Sequence, residues 1–463
     1  MAKSQGRDKT PNVALSRLVA ESGASRKSLA LRLRNLCEQA GYERKYTHAS
    51  WSNWMTKGMI PDPPAPELIT RLLSERLGRR ITLADIGMAA PSTAHADTGL
   101  AFPRDRGQAV TAAAEFWSTV DRRTVIAGAA AFGITHFTTP TARWLINPAD
   151  PVETTLGGRR VGQADIDELR ETAEEARRWD ARYGGGNWKL SSVNACLAQR
   201  ASPLLSGTYS EPIGRQLFAV TAELARLAGW SAFDIGQHGL AQRHFIQALR
   251  MAKAGGDAET GCYVLTTMAL QALIRGFPSE AIDMAQGAYT HAKHAAAPRV
   301  LSFTKLAEAR AHGKAGDAAA ASRALREAED LMSAIRDDGR DPQWLEYYSF
   351  PRLASDATEI HRDLKQSKAA LSWSTQADAM PSGQYTRATG IRLAVTASAH
   401  LQLGRLDQGL AVGQRALSIL GGVESARAQD YLRNVVTSLQ PWAKEAAAST
   451  FIRQSRTVLG HTA

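Results

Sequence analysis

GQHGLAQRHFIQA, Gly236–Ala248, places a glycine first, Ala241 five residues on, Phe245 nine on and Ala248 twelve on. The same offsets return 40 residues later in GFPSEAIDMAQGA as Gly276, Ala281, Ala285 and Ala288. After another 40 they return in GDAAAASRALREA as Gly316, Ala321, Leu325 and Ala328. GRLDQGLAVGQRA keeps the frame more weakly as Gly404, Gly409, Gly413 and Ala416, and a degenerate copy sits at Lys365, Ala370 and Ala377. A glycine to turn the chain, an alanine where two helices cross closely and a larger residue one turn further on describe a helical hairpin. Hairpins repeated at a fixed step stack into an α-solenoid, because each buries its apolar face only against its neighbours. No strand-like alternation is sustained elsewhere, so the whole chain reads as all-α.

Upstream of the repeats the pattern changes to short helices. Leu15, Leu18 and Val19 share one face. Leu29, Leu33, Leu36, Cys37 and Ala40 share another, after Ser25 as N-cap and before Gly41 as stop. A third helix lies in THASWSNWMTKG, Thr47–Gly58, where Trp51, Trp54 and Met55 stand on one side and His48, Ser50, Ser52, Asn53 and Lys57 on the rest. PDPPAP, Pro61–Pro66, then forces a turn, and Glu67 to Leu77 gives a fourth helix with Leu68, Ile69, Leu72, Leu73 and Leu77 inward. Residues 1–90 hold 15 Lys and Arg against 8 Asp and Glu, an excess of +7 out of +11 for all 463 residues. A basic module ahead of a nearly balanced body favours a polyanionic partner for that module.

These features divide the chain into a helix-turn-helix bundle over 12–90, a connector with short helices over 91–163, a repeat domain over 164–440 and a C-terminal helix or tail over 441–463. The connector is rich in Ala, Thr, Pro and Gly, with Trp117 and Trp144 as anchors. Ile166–Gly186 opens the body as an amphipathic helix, with Ile166, Leu169, Ala173, Ala176 and Trp179 on one face. Its glycines close a helix and do not open one, so they read as a helix end and not as a phosphate loop. Three scattered cysteines, Cys37, Cys196 and Cys262, make neither a disulfide framework nor a zinc cluster, and point to a reducing cytoplasm. VDRRTVIAGAAAFGITHF, Val120–Phe137, has the twin arginines of an export signal, but lies deep in the chain and is interrupted by Gly128, Gly133 and Thr135; it reads as a linker helix. No membrane is expected as a partner.

The four-helix N-terminus resembles the helix-turn-helix of phage-repressor-like (XRE-type) regulators: SRKSLA, Ser25–Ala30, looks like the start of the first motif helix, and WSNW, Gly58, a proline and LLSERLG look like the recognition helix and the one after it. From Leu29 to Trp51 the stretch is about twice the length that pattern has, and one additional residue stands between Trp54 and Gly58. The body resembles tetratricopeptide repeats, whose usual step is about 34 residues, so a step of 40 implies longer helices or loops. Together with RYGGG and GWSAFDIGQHGLAQRHFIQALRMA, the chain is similar to actinobacterial regulators that join these two parts, and in architecture to peptide-sensing regulators of the Rap, Rgg, PlcR and PrgX type. The resemblance implies a cytoplasmic, nucleoid-associated protein that binds double-stranded DNA and regulates transcription as a homodimer. His48, Ser50 and Asn53 are then expected at base edges, and Lys27, Arg44, Lys45 and Lys57 at phosphates.

The first helix of each hairpin should line the concave face of the stack. Projecting the repeat frame puts Arg226, Trp230, Tyr263, Thr266, Phe303, Arg310, Arg352 and Arg362 near it, and aromatics between arginines suit a peptide or protein ligand carrying a carboxylate. No cofactor or metal is expected. His291 and His294 stand three apart on a helix without a third ligand, and read as solvent-facing. The nucleotide-binding, zinc-protease and nucleophile-elbow motifs are absent from the sequence, so an enzyme is not expected. A scaffold that binds a protein partner, with the N-terminal bundle as a cap, is the alternative; an RNA reader would need exposed tryptophans.

Overall fold

The computed structural model describes residues 11–39, 46–59, 61, 65–79, 81, 83, 85–88, 97–120, 131–146, 158–186, 191–336, 341–379 and 385–460. The chain forms two compact units, Met1–Ala96 and Asp97–Ala463. Among the described residues no helix is long and apolar enough to cross a membrane.

The first unit is built from α1 (Val13–Glu21), α2 (Arg26–Gln39), α3 (His48–Lys57) and α4 (Ala65–Leu77). Each expected apolar face turns inward: Leu15, Leu18, Val19, Leu29, Leu33, Leu36, Cys37, Trp51, Trp54, Ile69, Leu72 and Leu73 are buried in one cluster. Ser25 caps α2 by accepting from the Ser28 N–H at 3.2 Å. Asn12 caps α1 through the Leu15 N–H at 2.9 Å and donates from Nδ2 to the Ile86 carbonyl at 2.9 Å, which ties the end of the unit to its start. Ala40, Gly41 and the turn residues Asp62–Pro64 lie outside the described residues.

The second unit opens with α5 (Arg106–Val120), α6 (Thr138–Ile146) and α7 (Gln163–Tyr183). A short helical passage follows: α8 (Ser191–Cys196), a π-turn over Leu197–Ala201, and α9 (Ser202–Leu205). Five hairpins come next: α10 (Glu211–Asp234) with α11 (His238–Ala254), α12 (Ala258–Ile274) with α13 (Pro278–Ala292), α14 (Pro298–Ala315) with α15 (Ala318–Ser333), α16 (Phe350–Asp363) with α17 (Ser367–Ala377), and α18 (Thr386–Gln402) with α19 (Leu406–Leu420). α20 (Ala426–Ser438) and α21 (Ala446–Gly460) close the stack. The unit is thus an all-α array of helical hairpins.

The repeat frame marks the turn inside each hairpin. Gly236, Gly276, Gly316 and Gly404 take φ of 83°, 89°, 85° and 72°, the left-handed region that glycine reaches without a Cβ penalty. Their alanines are buried at the crossings. Lys365 holds the same position in the degenerate copy with φ 61°, although it has a Cβ. Lys365→Gly should therefore raise stability by about 0.5–1 kcal/mol, the left-handed strain less the added chain entropy of glycine. Its thermal midpoint should rise slightly; a lower midpoint would mean that the Lys365 side chain contributes more than its backbone costs.

The described residues of the expected connector, from 97 on, belong to the second unit. Phe102, Phe116, Trp117, Phe137 and Trp144 share one core with α10, α11 and α12. The cause is the polar face of α11: Gln247 donates to the Gly99 and Ala101 carbonyls at 2.8 and 3.0 Å, and Arg250 to the Pro103 carbonyl at 2.7 Å. Segment 97–104 covers what would otherwise be the solvent side of that helix. Residues 121–130 of the twin-arginine stretch lie outside the described residues. The C-terminal stretch forms the helix α21, whose Phe451 and Ile452 are buried in the last core with residues of α18, α19 and α20.

Candidate functional site

In the first unit, α3 is held by its two indoles: Trp51 is fully buried, Trp54 is 5% exposed, and their rings lie 5.6 Å apart. Tyr46 adds an edge contact to Trp54 at 5.3 Å. Arg26 donates to the Ser52 hydroxyl at 2.8 Å, fixing the start of α2 against α3. His48, Thr56 and Lys57 are exposed and Asn53 is half-buried, while Ser50 turns back so that its hydroxyl accepts from the Thr47 N–H at 3.2 Å. Ser50 is therefore part of the helix cap, which alters its expected place at a base edge. Lys27 is exposed on α2; Arg44 and Lys45 lie outside the described residues.

In the second unit, the first helices of successive hairpins and α7 surround a cavity of about 490 Å³. Six of the residues projected from the repeat frame line it: Arg226, Trp230, Tyr263, Phe303, Arg310 and Arg352. Thr266 and Arg362 do not. Thr266 is fully buried between α12 and α14, donating to the Cys262 carbonyl at 2.8 Å and facing the Thr304 hydroxyl at 2.9 Å. Arg362 pairs with Asp363 at 2.7 Å and with Glu359 at 3.5 Å. The frame misplaced both because it fixes a helix turn, not the angle at which each neighbour crosses it. It also could not reach Trp344 and Tyr347, which enter from the connection between hairpins, or Tyr385 at the edge of α18.

Nine arginines and five carboxylates line the cavity. Most of the buried charge is neutralised in place. Arg310 meets Glu359 at 2.9 Å and Asp356 at 3.3 Å, and Arg352 meets Asp356 at 3.0 Å. Burial pushes against the charged form of Glu359, but Arg310 and Arg362, with the Tyr431 hydroxyl, hold its carboxyl well below the usual range. Arg177 pairs with Glu223. Arg226 differs: it is 5% exposed, and among the described residues it has no ion pair and its Nε finds no hydrogen-bond acceptor. Its guanidinium lies 4.6 Å over the Tyr263 ring, and Tyr263 stacks on Trp344 at 4.5 Å with 20° between planes. The Tyr263 and Tyr347 hydroxyls meet at 3.1 Å, and burial holds the Tyr347 phenol protonated.

One end of the cavity is closed by contacts across the stack. Arg387 of α18 reaches Asp180 of α7 at 2.8 Å and Asp234 of α10 at 2.7 Å; Arg427 of α20 reaches Asp234 at 3.1 Å. RYGGG makes this approach possible. The Gly185 N–H donates to Asp234 at 2.9 Å and the Gly186 N–H to the Glu424 carbonyl at 3.2 Å, and a Cβ on Gly185 would stand 2.7 Å from the Ser231 carbonyl oxygen. The glycines do end α7, as expected, but the closeness of α10 is what requires them. His291 is exposed yet leans on Trp144, their rings 4.3 Å apart.

Residues 15–89 match the family described as SP15 N-terminal domain. No curated protein matches the chain. Among solved structures, the chain is similar to a signal transduction ATPase with numerous domains (STAND) protein with a tetratricopeptide repeat sensor from Pyrococcus horikoshii. The two share 13% identity at a TM-score of 0.38, over 97% of this chain and 75% of that one.

Proposed function

We propose that the protein is a sequence-specific DNA-binding transcriptional regulator, acting as a homodimer, whose repeat unit receives a signal and catalyses nothing. The observation that carries the DNA-binding part is the division of α3: Trp51 and Trp54 take its inner face and leave His48, Asn53, Thr56 and Lys57 outward on a basic module. Asn suits bidentate pairing with adenine, and an exposed Lys suits phosphate. Buried indoles count against RNA reading, which draws on exposed rings for stacking. The scaffold alternative has no use for the basic excess of residues 1–90.

Selection of random duplex DNA on the purified chain tests the reading. An enriched inverted repeat, with half-sites about one helical turn apart, is expected. Asn53→Ala should cost about 1–3 kcal/mol at one base position, while Lys57→Ala should weaken all sequences alike and lower the salt slope by about one. Salt-sensitive binding with no enriched motif would leave only a nonspecific basic surface and refute it.

A further inference from the structure

We infer that the cavity of the repeat unit is a site for a small aromatic or flat apolar acid, whose single carboxylate is held by Arg226. This deepens the proposed regulator by naming the class of its signal, and rests on that reading for its biological sense.

Three observations lead there. The first is charge. Arg310, Arg352, Arg387 and Arg427 already have carboxylate partners within the protein, whereas Arg226 is buried with none among the described residues. A guanidinium taken out of water without a counter-charge is costly, and an anion supplied from outside offsets that cost. Arg182 also lines the cavity with no carboxylate partner among the described residues but is exposed to water, so Arg226 is the buried cation left to neutralise, and one negative charge, a carboxylate, does so. The second is the wall around it. Trp230, Phe303 and the Tyr263–Trp344 stack present flat apolar surface beside the guanidinium, and two facing hydroxyls, Tyr263 and Tyr347, need only one proton between them. The other proton is available to a ligand oxygen. The third is size. A volume of about 490 Å³ falls in the range of small-molecule sites, and the contacts of Asp180 and Asp234 with Arg387 bar a long peptide from running through that end.

Calorimetric titration of the full chain, without DNA, tests this with three probes: naphthoate, its neutral amide naphthamide, and a tripeptide ending in phenylalanine. Naphthoate should bind at least about tenfold tighter than naphthamide. Arg226→Gln should weaken naphthoate by about ten- to a hundredfold and leave naphthamide within about threefold. The thermal midpoint of that variant should match or exceed the parent, since a buried unpaired cation is removed. Arg226→Lys, which keeps the charge and loses the planar fork, should give an intermediate loss and serves if the glutamine variant fails to fold. Equal binding of acid and amide, an unchanged Arg226→Gln, binding of the tripeptide alone, or no binding of any probe overturns the proposal. The titration contains no DNA, so its failure is separate from a failure of DNA recognition.

Discussion

Asp234→Ala should cost the repeat unit about 3–5 kcal/mol, the usual penalty for removing one partner of a buried ion pair. Asp234 is fully buried at the end of α10 and accepts from Arg387, Arg427 and the Gly185 N–H. Burial disfavours its charged form, yet Arg387 and Arg427 hold its carboxyl below the usual range. Without it Arg427 loses its carboxylate and keeps only the faces of Trp230 and Phe233, at 5.1 and 6.0 Å. Asp234→Asn keeps the shape and an acceptor for Gly185, so it should show most of the same loss. Urea unfolding followed by circular dichroism reads both variants; an Asp234→Ala within about 1 kcal/mol of the parent would show that closure is not held by this carboxylate.

Acidification from neutral pH to pH 4 should remove about 3 kcal/mol of stability through His244 alone. Its ring is fully buried on α11, 4.8 Å from Phe116, with neither nitrogen hydrogen-bonded. Burial pushes its pKa down from 6.5 to about 3. Between those values the unfolded chain takes up a proton that the folded chain refuses, so stability is full above 6.5 and falls as the pH drops. Glu359 loses its contribution only further down, below the ordinary glutamate range. His244→Met, close in volume and not titratable, should flatten the stability profile between pH 6.5 and 4. An unchanged slope in that variant would place the acid sensitivity elsewhere.

What could be read in advance divides along physical lines. The hairpins were legible because their requirements are local: a left-handed turn at Gly236 or Gly276, and a small residue where Ala241 or Ala281 meets the paired helix. The inward direction of Trp51 and Trp54 followed from helical spacing in the same way. Six cavity residues could be found because they recur on the first helices. Trp344 and Tyr347 could not, since irregular connections carry no period to project. The partnership of Asp234 with Arg387 and Arg427 was equally silent, because charges more than 150 residues apart leave no pattern along the chain. The role of 97–104 was hidden by composition: Ala, Thr and Gly look like a linker until the buried Gln247 and Arg250 of α11 are seen to need its carbonyls.

The contacts of Arg387 and Arg427 with the α7–α10 end have a thermodynamic consequence. In an open array each repeat depends only on its neighbours, so the terminal units fray first and melting spreads inward, with partly unravelled species populated on the way. Here an early helix and a late one share a carboxylate, and neither terminus can loosen without exposing charge that the other has left behind. Melting becomes more nearly all-or-none, and shortening the array by its last hairpins destabilises its first. A change anywhere along the cavity is therefore felt by the whole repeat unit at once.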